Sequence, residues 1–254
     1  YTGWILALDR QGEICRLASL SPGWLRLSQQ NGDLYGAAWL KIFGTNALLA
    51  AGDMAGAVAM REDALTGFSA EAFTPQQCAE GMYGASHDLY RGDPAAALRR
   101  LDEIWEVAKS SGALMWQWTR VCASQIRGGA AVALARIRPA ERGPLLAFAR
   151  KVARRLDREN RTYARAAASL IRGAIASTTG DPEAAVRELN AATAAFGESH
   201  MRLYAACASR RKGELLGGDE GRAMVGSADA ALRDQGIQDV DRWTAMYAPG
   251  FSEA

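Results

Sequence analysis

Ser86-His87-Asp88 places a hydroxyl, an imidazole and a carboxylate side by side, the residue types of a nucleophile, a base and an orienting acid. That chemistry needs the three groups joined in one hydrogen-bonded relay, and consecutive residues of a helix do not face one another. The run therefore reads as three helix neighbours, with His87 near an inner surface or paired with Asp88 or Glu80. The other histidine, His200, follows Ser199 and reads as a helix-start residue. Cys15, Cys78, Cys122 and Cys207 lie 63, 44 and 85 residues apart, without the short spacings of a zinc knuckle or a redox pair. They are expected as buried small apolar residues in a reducing compartment. A phosphate-binding Gly-rich loop with its Lys, a dinucleotide fingerprint and a zinc-protease helix are all missing. The chain is expected to be non-enzymatic, with no catalytic residues, no cofactor and no metal.

Binding chemistry is the better represented class. Between Arg136 and Arg172 the net charge is +8, and within that block Arg150, Arg154 and Arg158 recur every four residues beside Lys151 and Arg155. One helix face would then carry a basic stripe. It fits a solvated face, a docking stripe for an acidic segment, or a nucleic-acid contact, although no reading motif accompanies it. Trp39 and Phe43, Tyr83, Trp116 and Trp118, Tyr163 and Tyr204 fall on the first helices of successive pairs. Most are expected to fill gaps between helices. Some are expected to face a groove with Asn46, Gln76, Gln77, Arg120 or Arg165 and contact a peptide. Trp116 and Trp118 are two apart and cannot face the same helical neighbour, so one of them is expected at the surface. The candidate partner-binding residues are Trp39, Asn46, Gln76, Tyr83, His87, Trp116, Arg120, Tyr163, Arg150, Arg154 and Arg158.

The elements that carry these residues are marked by a repeat. An acidic residue follows glycine at Gly12-Glu13, Gly52-Asp53, Gly92-Asp93, Gly180-Asp181 and Gly218-Asp219, at intervals of 40, 40, 88 and 38, with Gly32-Asp33 half a period out of phase. The unit is thus near 40 residues, two segments of about twenty, with one unmarked junction around Arg138-Pro139. Glycine closes a helix in a left-handed conformation, Asp accepts the free amides of the next, and proline is tolerated at the first helical position. After Gly92-Asp93-Pro94, Ala97, Leu98, Leu101, Ile104, Trp105 and Ala108 step by three and four; Ala185, Val186, Leu189, Ala192 and Phe196 do the same after Gly180-Asp181-Pro182. The spacing predicts helices near 1–10, 13–30, 33–50, 53–67, 75–91, 94–110, 112–137, 140–158, 160–178, 182–197, 199–216 and 220–235. No period-two run suggests a sheet.

Composition agrees. The 254 residues include 51 alanines, small enough for paired helices to approach closely, and 30 basic against 28 acidic residues give a net charge of +2. That balance excludes a strongly polyanion-seeking protein as the default. No apolar run reaches the roughly 18 residues of a spanning helix, so a membrane partner is not expected and the location is read as cytoplasmic. The expected fold is all-α: a right-handed superhelical α-solenoid of about six hairpins over 1–235, with a candidate kink near 128–144. Residues 236–254 form a tail on the last repeat. Pro249 and Gly250 should stop any helix near Trp243 by Ala248. Tyr1 lies within a helical pattern with no Met before it, so a segment of a longer polypeptide is expected.

The strings GDPAAALRRL and GDPEAAVREL resemble tetratricopeptide repeats at the hinge and second helix, in a longer unit than that family's 34 residues and without its Trp-Leu-Gly-Tyr pattern. NGDLYGAAWL at 31–40 and the run from 209 to 251, above all RWTAMYAPGF at 242–251, look like a helical-repeat region of large bacterial signalling proteins. Those proteins, common in myxobacteria, join a Ser/Thr protein kinase to a signal-transduction ATPase module, and the repeats form their C-terminal part. The resemblance implies a protein-interaction or regulatory region acting as scaffold or sensor. Its partner would be a protein or peptide, including upstream kinase or ATPase domains. A small-molecule-sensing helical domain of an ATPase-type transcription regulator is the alternative, and a nucleic-acid-binding solenoid a further one.

Overall fold

A computed structural model describes residues 2–69 and 72–251. Tyr1 of the first expected helix and residues 252–254 of the expected tail lie outside the described residues. Among the described residues the chain forms thirteen α-helices and no strand. They are α1 (Thr2–Gln11), α2 (Ile14–Gln30), α3 (Leu34–Ala50), α4 (Met54–Asp63), α5 (Pro75–Tyr90), α6 (Pro94–Ser110), α7 (Gln117–Ile137), α8 (Arg142–Asp157), α9 (Thr162–Thr179), α10 (Pro182–Glu198), α11 (Arg202–Leu216), α12 (Gly218–Arg233) and α13 (Val240–Tyr247). Consecutive helices from α1 to α12 pack on one another, and α1, α3, α5, α7 and α9 also touch in that order. Two layers result. Helices α3, α5, α7 and α9 bury residues on most of their circumference, whereas α6, α8 and α10 bury single stripes such as Ala185, Leu189, Ala192 and Phe196. A helix apolar all round belongs inside, and one with a single apolar stripe belongs at the rim.

The Gly-Asp hinges fold as their chemistry dictates. Gly32, Gly52, Gly92 and Gly180 take φ between 67° and 82°. Asp33, Asp53, Asp93 and Asp181 cap α3, α4, α6 and α10, accepting the amides of Gly36, Gly56, Ala96 and Ala184 at 2.8–2.9 Å. Glu13 makes no such cap and pairs instead with Arg202 at 2.9 Å, because its longer side chain overshoots the amides. Asp219 is not a cap either: α12 starts one residue earlier, and Asp219 pairs with Arg222 within its first turn. At the unmarked junction a 3-10 turn, Pro139–Glu141, leads into α8. The element expected over 112–137 is divided into a 3-10 turn, Ala113–Met115, and α7. His200 does not open a helix: it sits in the turn after α10 with φ of 58°, and α11 begins at Arg202.

Helix α7 runs unbroken through Gly128-Gly129. The glycines are there for clearance: a Cβ on Gly128 would lie 2.6 Å from Ile171 Cδ1 of α9, and one on Gly129 would lie 2.6 Å from Pro249.

The largest departure from expectation is at the chain's end. The inner surface expected to be an open groove is filled by residues 236–251. Ile237, Val240, Trp243, Met246, Tyr247, Ala248 and Phe251 are all buried, Trp243 with no exposed surface. This segment packs on α5, α11 and α12. The Gln238 amide donates to the Ala50 carbonyl of α3 at 2.9 Å, Arg211 of α11 donates to the Ala248 carbonyl at 3.2 Å, and Thr178 of α9 donates to the Gly250 carbonyl at 3.4 Å. Apolar residues spaced by three and four provide this segment with a face to bury, and the alanine-lined interior offers room for it. The first hairpin also meets the last: Arg202 pairs with Glu13, Leu203 packs over Gly12, and the Cys15 thiol points to the Asp234 carbonyl at 3.6 Å. The hairpins therefore close into a cycle around α13.

Candidate binding groove and its polar floor

With the centre filled, an apolar opening persists where α1 meets the N-terminal halves of α3, α5 and α7. It is a groove of about 360 Å³. Trp39 and Phe43 form one wall, their rings stacked 5.2 Å apart and 9° from parallel, and Phe43 meets the Tyr83 ring edge-on at 5.5 Å. Leu6 of α1, Pro75, Gln76, Ala79 and Met82 of α5, and Trp116, Trp118 and Thr119 complete the lining. Trp116 stands at the rim with 72% of its surface exposed, next to Met115 at 81%. Two large apolar side chains held in water at a groove mouth are the kind of surface that binds something.

Trp116 is held in place from behind. Arg120 donates to both Glu159 carboxylate oxygens at 2.6 and 2.7 Å and to the Leu114 and Met115 carbonyls at 2.6 and 3.2 Å. Gln117 donates to the Glu159 carbonyl at 2.8 Å. The turn that carries Trp116 is thus tied to the α8–α9 link. Arg120 positions the groove's rim rather than lining it. Tyr163 supports Trp118, with ring centroids 5.3 Å apart.

Among the described residues, Arg10 is the one ionised side chain in the groove lining. Its guanidinium lies 4.2 Å over the Trp118 ring and reaches the Tyr204 hydroxyl at 3.2 Å and the Tyr83 hydroxyl at 3.4 Å. Beneath it, buried Asp9 accepts from Asn46 Nδ2 at 2.5 Å and from the Tyr83 hydroxyl at 2.7 Å, and its carboxylate lies 3.4 Å from Arg10 Nε. Asn46 also donates to the Tyr247 hydroxyl at 3.3 Å. A small cavity of about 40 Å³ adjoins this cluster. Burial pushes the Tyr83, Tyr204 and Tyr247 phenols up, so all three stay protonated at neutral pH. The carboxylate is met by a guanidinium, an amide and a phenol, and the cluster joins α1, α3, α5, α11 and α13, although Arg10 Nε itself makes no hydrogen bond among the described residues.

The residues singled out by sequence are thereby sorted. Trp39, Gln76, Tyr83 and Trp116 share the groove. Asn46 does not face it, because its amide is used by Asp9 and it is 4% exposed. His87 does not face it either: it is 1% exposed, neither ring nitrogen has a hydrogen-bond partner among the described residues, and burial together with Arg61 pushes its pKa down to about 3. Ser86 bonds the Met82 carbonyl, and Asp88 pairs with Arg91 and with Arg100, so Ser86, His87 and Asp88 form no relay. Arg150, Arg154 and Arg158 are exposed on and just beyond α8, away from the groove. Burial raises the Cys78, Cys122 and Cys207 thiols to about 11, 11 and 12, while Cys15 is exposed.

Asp9, Arg10 and Tyr247 were not legible as site residues; adjacent opposite charges carry no signal of partners far away in sequence. Among the described residues no group of three or more His, Cys, Asp or Glu is placed to hold a metal, and no helix is long and apolar enough to cross a membrane. No protein-family model, no curated protein and no solved structure matches the chain.

Proposed function

We propose that this chain is a non-enzymatic interaction region, a right-handed superhelical α-solenoid of about six tetratricopeptide-like hairpins, whose aromatic groove takes an apolar side chain from a protein or peptide partner. The observation that carries this reading is the exposed Trp116 at the mouth of a groove walled by Trp39, Phe43 and Trp118. Tryptophan and arginine at a concave apolar site are the residues that dominate binding energy in protein interfaces. Arg10 on the floor is held by Asp9, Tyr83 and Tyr204, so the groove's selectivity rests on its aromatic walls and favours a large apolar anchor residue. The resemblance of RWTAMYAPGF and the Gly-Asp repeats to bacterial kinase–ATPase fusion proteins supports a cytoplasmic scaffold or sensor role. An upstream kinase or ATPase domain would then be the natural partner.

Selection from a displayed random-peptide library tests the reading. The enriched peptides should share one large apolar residue, and Trp116→Ala and Trp39→Ala should each weaken them by about tenfold or more. Enrichment of nothing, or of peptides indifferent to both substitutions, rejects it. The groove volume of about 360 Å³ also lies in the range of small-molecule sites, which keeps a metabolite-sensing domain as the second reading. A thermal-shift response to a metabolite panel, lost in Trp39→Ala and with no peptide enriched, selects that one.

A further inference from the structure

The outward face of α8 stands apart from the rest of the surface in how its charges are matched. Arg150, Lys151, Arg154, Arg155 and Arg158 are all exposed, and among the described residues none of them makes an ion pair or a side-chain hydrogen bond. The acid in their midst, Asp157, is engaged by Arg172 of α9 at 2.9 Å. On α6, α10 and α12 cations are matched: Arg99 to Glu103 and Arg127 to Asp102 at α6, Arg187 to Glu183 at α10, Arg222 to Asp219 at α12. Arg161, Arg165 and Lys212 make no ion pair among the described residues but each donates to a side chain, Gln117, Thr162 and Asn190, and Arg16 and Arg26 of α2, also without ion pairs, are ten residues apart. Five adjacent unmatched cations repel one another, and an isolated fold gains nothing from that arrangement.

The shape of the patch narrows what it would bind. Residues 150–158 extend along α8 for about 12 Å. The patch is one helix wide. On one side Arg127 is sandwiched between Trp105 of α6 and Phe148 of α8, which places α6 alongside, with Glu103 and Glu106 exposed. On the other, Arg172 bridges Asp157 to Glu188 of α10, whose Glu183 is 90% exposed. A nucleic-acid duplex, with a charge for about every 1.7 Å of axis, is gripped by cations spread along its length, whereas these five occupy one short stretch of a single helix. A membrane would need apolar side chains to insert, and those of α8 (Leu146, Val152 and Leu156 among them) are turned into the core. An α-helix about 10 Å across, lying along α8 with carboxylates every four residues, meets the cations over their whole length.

We infer that the outward face of α8 docks an acidic α-helix of a partner protein. This surface shares no residue with the aromatic groove and does not depend on it, so either can fail alone. The test uses a labelled alanine-based peptide of about 18 residues, long enough to be helical, with glutamates at every fourth position. Its anisotropy is titrated with the full chain at low salt. Binding should be measurable, weaken about tenfold or more when salt is raised to a few tenths molar, and fall at least as far in Arg150→Glu/Arg154→Glu/Arg158→Glu. Arg16→Glu/Arg26→Glu, which reverses two cations elsewhere against three at α8, should leave it unchanged, and circular dichroism should show both variants folded. Equal affinity for the wild-type chain and the α8 variant overturns the inference. So does tighter binding of a DNA duplex or of phosphatidylserine vesicles than of the peptide, or equal binding of a peptide whose glutamates are scattered around the helix.

Discussion

At the scale of single residues, position in the polar clusters sets what a side chain does, and His87 is the clearest case. It is buried among Arg61, Arg91 and Arg100, with Asp88 already paired to two arginines. The unfolded chain takes up a proton at His87 near 6.5, but the folded chain does not until about 3. The unfolded state therefore binds more protons through that window, and stability must fall as the pH is lowered across it. Between about pH 6.5 and 4.5, above the range where carboxylates titrate, His87 should contribute a distinct slope to the urea midpoint. His87→Leu should flatten that slope; equal slopes in both proteins would place the proton elsewhere. Sequence located this residue on a helix and set aside the triad, since three consecutive residues diverge. It could not show that both imidazole nitrogens end up without a partner among the described residues, which depends on how Arg61 and Arg100 approach from α4 and α6. In the same way the Trp116-Gln117-Trp118 spacing required one tryptophan at the surface, whereas the Asp9–Arg10 cluster depends on contacts 37 to 194 residues away.

At the scale of the element, boundaries were legible where local chemistry sets them. Each Gly-Asp pair that caps supplies both a left-handed stop and an acceptor, so the starts of α3, α4, α6 and α10 follow from two residues. The start of α8 follows from a proline turn with no cap, and that of α11 from His200 in the left-handed region, where no sequence signal pointed. Gly128-Gly129 looked like a break and is a close approach instead. The two readings predict opposite results for Gly128→Ala. If the glycine merely weakened α7, alanine would stabilise by up to about 1 kcal/mol. The Ile171 and Val152 methyl groups, 2.6 and 3.1 Å from the new Cβ, instead predict a loss of about 1–3 kcal/mol in chemical denaturation. Gly143→Ala, with nothing within 4 Å of its Cβ, is the matched control and should be neutral or slightly stabilising. A stabilised Gly128→Ala would mean that α7 and α9 are farther apart than described.

At the scale of the whole molecule, the all-helical architecture and paired helices were legible from the 40-residue period, but the occupant of the interior was not. Periodicity reports that residues 237–251 have an apolar face; it does not report which surface covers that face. Removing residues 237–254 should therefore do more than shorten the chain. It exposes the inner faces of α3, α5, α7, α9 and α11 at once and deletes Trp243, a residue whose truncation alone would cost about 3–5 kcal/mol against a total stability of about 5–15. The shortened chain should retain helical circular dichroism yet lose its sharp thermal transition and bind a hydrophobic dye. A sharp transition at an unchanged temperature would show the hairpins to be self-sufficient.

Stacks of repeats ordinarily unfold piecemeal, because each unit touches only its neighbours. Here one short segment, made after all the hairpins during synthesis, touches nearly every inner helix. A chain in which that segment has not docked would hold its hairpins as a series with a bare inner face. Its docking would tie the hairpins into one cooperative body. The undocked chain, rather than the finished fold, would then be the form most open to aggregation.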